Sequence, residues 1–232
     1  MAFLFITFRT LVTLALVVMP VFAADKPEST TKPFLVVIDP AHGGSDLGSR
    51  FTATSNEKNL TLAFARRLRT ELQAQNIPVR LLRDSDIQLS VDQRAVAANA
   101  AQPAIFISIH AGLPGDGVRV FTSLPKGQPE ASRSNLFLPW ENAQIASFRR
   151  SREIAFTLVT ELHKSGIAAS LQSAPLLPLN SVIAPAIALE LATGGPAESK
   201  TGRRADTDPQ KSLAKVIANI IAAQRPPVEL QR

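Results

Sequence analysis

The chain has 232 residues, 45% hydrophobic and 19% charged, an ordinary globular balance long enough for one domain with a proper core. Its formal charge of +6 is basic, but the Lys and Arg residues are dispersed and no basic run interleaves with aromatics, which argues against nucleic-acid binding. There is no cysteine, which excludes disulfides and a lipid-bearing cysteine.

Met1 to Ala23 carries Arg9, then an apolar run from Leu11 to Val18, and closes on Val21-Phe22-Ala23, with small residues at the −3 and −1 places. This pattern predicts a signal peptide over 1–23. The run is short for a membrane span and no stop-transfer segment follows it, so a stable span after cleavage is not expected; an uncleaved anchor is the alternative. Residues 24–32 read as a polar, flexible lead-in.

Phe34 to Ile38 is apolar and β-branched enough for a strand buried on both faces, and Pro40 ends it. His42 follows with Gly43 and Gly44, just past the carboxyl end of a buried strand, where open α/β sheets keep their ligands. A polar loop residue without chemistry is the bland alternative. Ser45 to Ser55 is a Gly/Ser/Thr-rich loop. Leu60, Phe64, Leu68 and Leu72 make one stripe of a helix from Glu57 to about Gln75. Val79 to Leu82 reads as a strand, and Ser90 with Gln93 as a capping box opening a helix through Ala100. Ala104 to Ile109 is a second buried strand delivering His110. Gly117 to Thr122 is a further strand, Ser123 to Ser147 is irregular, and Arg150 to Lys164 is helical. Two apolar stretches, Ala174 to Leu179 and Ala186 to Leu191, complete a sheet of about six strands. Asp208-Pro209 opens a last helix to about Gln224. Strands alternating with helices predict an α/β fold: a single domain over 33–225, with a mostly parallel or mixed central sheet and helices on both faces, followed by a polar tail at 226–232.

Two of the three histidines, His42 and His110, follow buried strands, and Glu57 opens a helix between them. Two imidazoles and a carboxylate can form a catalytic zinc site with one position open to water. Glu57 can equally serve the helix dipole, and His110 can be a hydrogen-bonded strand-end residue. Glu190, inside Ala-Ile-Ala-Leu-Glu-Leu-Ala, is costly to bury unless paired or facing a polar site. It suits a general base near a metal-bound water, or an ion pair with an arginine. His163, in the last turn of a helix, reads as structural.

Val-Val-Ile-Asp-Pro-Ala-His-Gly-Gly with Asp46, Gly48 and Glu57-Lys58 resembles the opening of the zinc-dependent N-acetylmuramoyl-L-alanine amidases of the third family. The resemblance continues through Leu-Leu-Arg-Asp-Ser-Asp (81–86), Arg94, Ala98-Asn99, Phe-Ile-Ser-Ile-His-Ala (106–111) and Pro-Ala-Ile-Ala-Leu-Glu (185–190). It implies that 33–225 is an amidase catalytic domain in which His42, Glu57 and His110 hold Zn2+ and Glu190 is the catalytic acid/base. It also implies a peptidoglycan substrate, cut between N-acetylmuramic acid and L-alanine, and a periplasmic or secreted location. Ala41 and Gly112 stand where the family usually has glycine and asparagine, and Leu-Ala-Thr-Gly-Gly-Pro after Glu190 departs from the family pattern, which concerns stem-peptide preference. Some members carry a helix that blocks the zinc until an activator protein binds. By that resemblance Ser123 to Ser147 covers the cleft, with Glu141 as the contact, while Trp140 and Phe137 fit local core equally. Alternatives to the hydrolase are an inactive or regulatory peptidoglycan-binding protein on the same fold, and a zinc peptidase cutting within the stem peptide.

Overall fold

Strand β1, Val36–Pro40, lies inside a sheet, and every residue of it is buried. The computed structural model describes residues 32–124, 140–193 and 209–226. After β1 come α1 (Glu57–Gln73), β2 (Val79–Leu81), α2 (Val91–Ala101), β3 (Ile105–Leu113) and β4 (Val118–Ser123). A 3-10 helix, Trp140–Ser147, leads into α3 (Phe148–Lys164), β5 (Ala169–Ala174), a 3-10 turn at Leu179–Ser181, β6 (Ala186–Ala192) and α4 (Pro209–Ala222).

The six strands are ordered β2-β1-β3-β6-β4-β5. The first four are parallel, β4 is antiparallel to β6, and β5 is parallel to β4. The sheet is therefore mixed, as expected, and its two faces are packed differently. Val36, Ile38, Ile107, Ile109, Val120, Ile187 and Leu189 project onto α1, α3 and α4. There the predicted stripe of α1 is buried at Phe64, Leu68 and Leu72, each worth about 1.5–3 kcal/mol, while Leu60 is partly buried. The opposite face carries Val37, Phe106, Ala186 and Ala188 against Ala98 of α2 and Leu179.

The Ser90–Gln93 capping box is formed at the start of α2. Three expectations need correction. β3 runs on to Leu113, so His110 sits within the strand rather than after it, because its neighbour β6 continues the ladder. The fifth strand is Ala169–Ala174, not Ala174–Leu179. Pro175 and Pro178 lack the N–H a ladder needs, whereas the half-polar Ala-Ser-Leu-Gln-Ser-Ala suits an edge strand with one neighbour. Part of the stretch expected to be irregular is helical: Trp140–Ser147 is anchored by Gln144, whose Nε2 donates to the carbonyls of Val182 (2.6 Å) and Ala184 (2.9 Å). Residues 1–31, the core of the expected cover at 125–139, the side chains of Trp140 and Glu141, and the tail from 227 lie outside the described residues. Among the described residues no helix is long and apolar enough to cross a membrane.

Candidate metal centre

Because β1, β3 and β6 are parallel, their carboxyl ends share one edge of the sheet, and the first turn of α1 reaches the same edge. One ligand atom each from His42, Glu57 and His110 lies within 4.8 Å of the others. The two imidazole rings meet edge to face, with centroids 5.5 Å apart.

Glu57 is the hinge of this cluster. Its Oε1 takes hydrogen bonds from the Ala111 N–H (3.1 Å) and pairs with His110 Nδ1 (3.0 Å). Its Oε2 accepts from the Ser49 N–H (3.0 Å) and lies 3.1 Å from His42 Nε2. Gly48 permits the approach: its φ is +63°, and a Cβ there would lie 2.6 Å from His42 Cδ2 and 2.8 Å from Glu57 Oε2. On its other side His42 Nδ1 pairs with Asp46 Oδ2 at 2.9 Å.

That last contact tests the fit to a metal. With Nδ1–H given to Asp46, a neutral His42 has a bare lone pair on Nε2, and this faces a carboxylate oxygen. Only a proton or a cation between them makes the contact favourable. Two imidazole nitrogens and a carboxylate, with a further carboxylate setting one tautomer, are donors that could hold a metal ion.

The charges follow the same pattern. Hydrogen bonding to Glu57, helped by Asp46, raises the His42 imidazole above its usual pKa against the opposing effect of burial. Burial works to raise the Glu57 carboxyl, but the hydrogen bonds from His110, His42 and the N–H groups of Ser49 and Ala111 hold it well below the usual carboxylate range.

His42 is held in a left-handed conformation, φ 62°, which costs a non-glycine residue about 1–3 kcal/mol. Two buried arginines hold it there. Where the chain leaves β1, the carbonyls of residues 40, 41 and 42 lose their sheet partners. Arg83, 2% exposed, donates to Pro40 O (2.9 Å), Ala41 O (2.8 Å) and Lys58 O (2.8 Å). Arg94 donates to Pro40 O (2.9 Å) and His42 O (2.8 Å) and is ion-paired with the buried Asp39. Lys58 ties down the next turn, donating to Gly44 O and Asp86 Oδ2, both at 2.7 Å.

Glu190 joins the cluster from β6. In the sheet register it is the partner of His110 on one side and of Arg119 on the other, so the three form a row across β3, β6 and β4. Alternation puts all three on the α2 face. Glu190 Oε2 accepts from Arg119 Nη1 at 2.8 Å, so the ion pair anticipated as an alternative is formed. His163 stands apart, its Nε2 2.7 Å from Ala169 O, a structural contact at the start of β5.

The chain matches the family described as N-acetylmuramoyl-L-alanine amidase (Amidase_3) over residues 36–223. This chain belongs to the N-acetylmuramoyl-L-alanine amidase family. It is 35% identical over 81 residues to the amidase AmiC of Escherichia coli O6:H1, an alignment covering 34% of this chain and 19% of AmiC. It is 46% identical over 77 residues to the amidase CwlM of Bacillus licheniformis, covering 32% of this chain and 30% of CwlM. The matched stretches thus span a fifth to a third of those relatives. The fold is shared with the N-acetylmuramoyl-L-alanine amidase of Clostridium difficile 630: TM-score 0.58, 24% identity, 82% of this chain and 96% of that one. The catalytic domain of CwlV from Bacillus (Paenibacillus) polymyxa gives TM-score 0.56 at 22% identity, covering 81% and 93%.

In this family member all four residues singled out from sequence lie at one edge of the sheet. The roles of Asp46, Arg83 and Arg94 do not emerge from sequence reasoning, although all three lie in the motifs. Arg119 lies outside them. Its signal was a charged residue between Val118 and Val120, opposite in parity to two buried valines.

Proposed function

We propose that this protein is a zinc-dependent N-acetylmuramoyl-L-alanine amidase of the cell-wall space, with 33–225 as its catalytic domain and residues 1–23 as its export signal. The observation that carries this reading is the convergence of His42, Glu57 and His110 with Glu190 beside them in register. Zinc held by His42, Glu57 and His110 would lower the pKa of a water to about 7 and polarise the scissile carbonyl.

The chain's own residues supply the rest. Glu57 and the two histidines fix the geometry, and Asp46 keeps His42 in the tautomer that presents Nε2. Glu190 takes the proton of the attacking water and delivers it to the L-alanine nitrogen as the amide opens, so no covalent intermediate with the chain is needed. The substrate is peptidoglycan, and the products are a glycan bearing a free lactyl carboxylate and a stem peptide with an L-alanine N-terminus. An activator protein acting on the Ser123–Ser147 segment belongs to the same reading.

The test is digestion of purified peptidoglycan by the zinc-loaded protein with mass identification of products. Peptides beginning with L-alanine are expected, and they should vanish with chelator and with Glu190→Ala. Cleavage inside the stem peptide would instead identify a peptidase. Zinc binding without cleavage, even after deletion of Pro129 to Asn142, would identify a binding protein.

A further inference from the structure

We propose that Arg119 is a positioning residue for Glu190: it holds one carboxylate oxygen so that the other stays aimed at the reacting water. The inference rests on the amidase reading above. It starts from the row His110–Glu190–Arg119, in which Glu190 is flanked by a metal-site histidine on one strand and a guanidinium on the other. Oε2 is committed to Arg119 Nη1 at 2.8 Å, while Oε1 takes no hydrogen bond among the described residues. Oε1 points to the β3 side, since a Cβ built on Gly112 would lie 3.8 Å from it and 3.7 Å from Ser49 Oγ. The carboxylate is therefore divided into a tethered oxygen toward β4 and an unclaimed one toward the crevice.

Arg119 is suited to tethering. It stands on a paired strand, and its guanidinium lies 5.9 Å from the Phe121 ring centroid, a second contact that restrains it. An arginine does not give up its proton at working pH, so it can hold Glu190 without competing as a proton donor. Without the tether Glu190 keeps its strand position but gains rotamers, and a displacement of about 1 Å costs on the order of 10²-fold in rate.

The experiment compares Arg119→Ala, Arg119→Lys, Glu190→Gln and the double variant R119A/E190Q on peptidoglycan, with zinc affinity and a crystal structure of R119A beside the kinetics. Expected are a fall in kcat of about 10–100-fold for R119A with KM within about twofold. Zinc affinity should be unchanged, R119K should recover part of the rate, and Glu190 should leave its wild-type orientation in the crystal. The double variant should be no slower than E190Q alone. The proposal is overturned if R119A lowers the melting temperature but not kcat, if it raises KM alone, or if its rate loss multiplies with that of E190Q. A wild-type protein that binds zinc but releases no stem peptide would instead defeat the amidase reading. In that case an R119A crystal with Glu190 unmoved would separately reject the tether.

Discussion

On the β1 side of the crevice Glu57 accepts from the N–H groups of Ser49 and Ala111 and the carbonyls of residues 40 to 42 are each capped by a buried arginine; on the β6 side one oxygen of Glu190 is held once, by an arginine still 30% exposed. In the proposed amidase the two sides serve different chemistry. A ligand cluster works when its donors cannot relax, so its oxygens and nitrogens are saturated from behind. A base works when one oxygen is left open to the substrate, so the protein fixes the other and stops there.

The contrast is broken most severely at the ligands themselves. His42→Ala and His110→Ala should each lose bound zinc and bring peptide release to background, read by metal analysis and digestion. Next comes the clamp. Arg94→Ala strips the partner from Asp39, which is 1% exposed, and should cost about 3–5 kcal/mol in urea unfolding. Adding Asp39→Asn to that variant should recover part of the loss, because the buried charge is gone; an equal loss in both would show that the clamp acts through its backbone carbonyls, those of Pro40, His42 and Leu89. Asp46→Asn alters the partner of His42 Nδ1 and of the Gly48 N–H and should weaken zinc binding about 10–100-fold in a competition titration with stability little changed.

The smallest effect lies outside the centre and serves as the control. Asp84 is bonded by Arg69 (2.6 Å) and Arg66 (2.7 Å), which hold its carboxyl below the usual range. A depressed folded-state pKa contributes stability above the unfolded value, and this is lost as pH falls through the folded one. Asp84→Asn should therefore cost less than about 1 kcal/mol at pH 7, since the pair is half exposed, and the difference should shrink as pH falls below the ordinary aspartate range and vanish only below the depressed folded-state value. Zinc binding should be unaffected.

Much of this was legible in the chain because it is local. The apolar run ending in His42, the four-residue spacing of Phe64, Leu68 and Leu72, the Ser90–Gln93 box and the lone carboxylate of an apolar strand are each carried by a few neighbouring residues, whose periodicity or spacing reports their surroundings. β5 was displaced because hydrophobicity ranks the Ala174 to Leu179 stretch above an edge strand, while the missing proline N–H groups decide the ladder. Pairings across long separations left no trace of that kind.

By itself, then, the sequence pointed to the residues suited to the chemistry, with His42 and His110 delivered by buried strands and Glu190 inside one. The burial preference of a strand and the ionisable character of a side chain are both written at the position concerned. Tertiary structure alone decided that β6 lies between β3 and β4, which puts Glu190 beside His110 and gives it Arg119 from 71 positions away. It likewise decided that Arg83 and Arg94 would close over the carbonyls at the end of β1. Strand order and long-range hydrogen bonds arise from the packing of whole elements, and no single stretch of chain contains both partners.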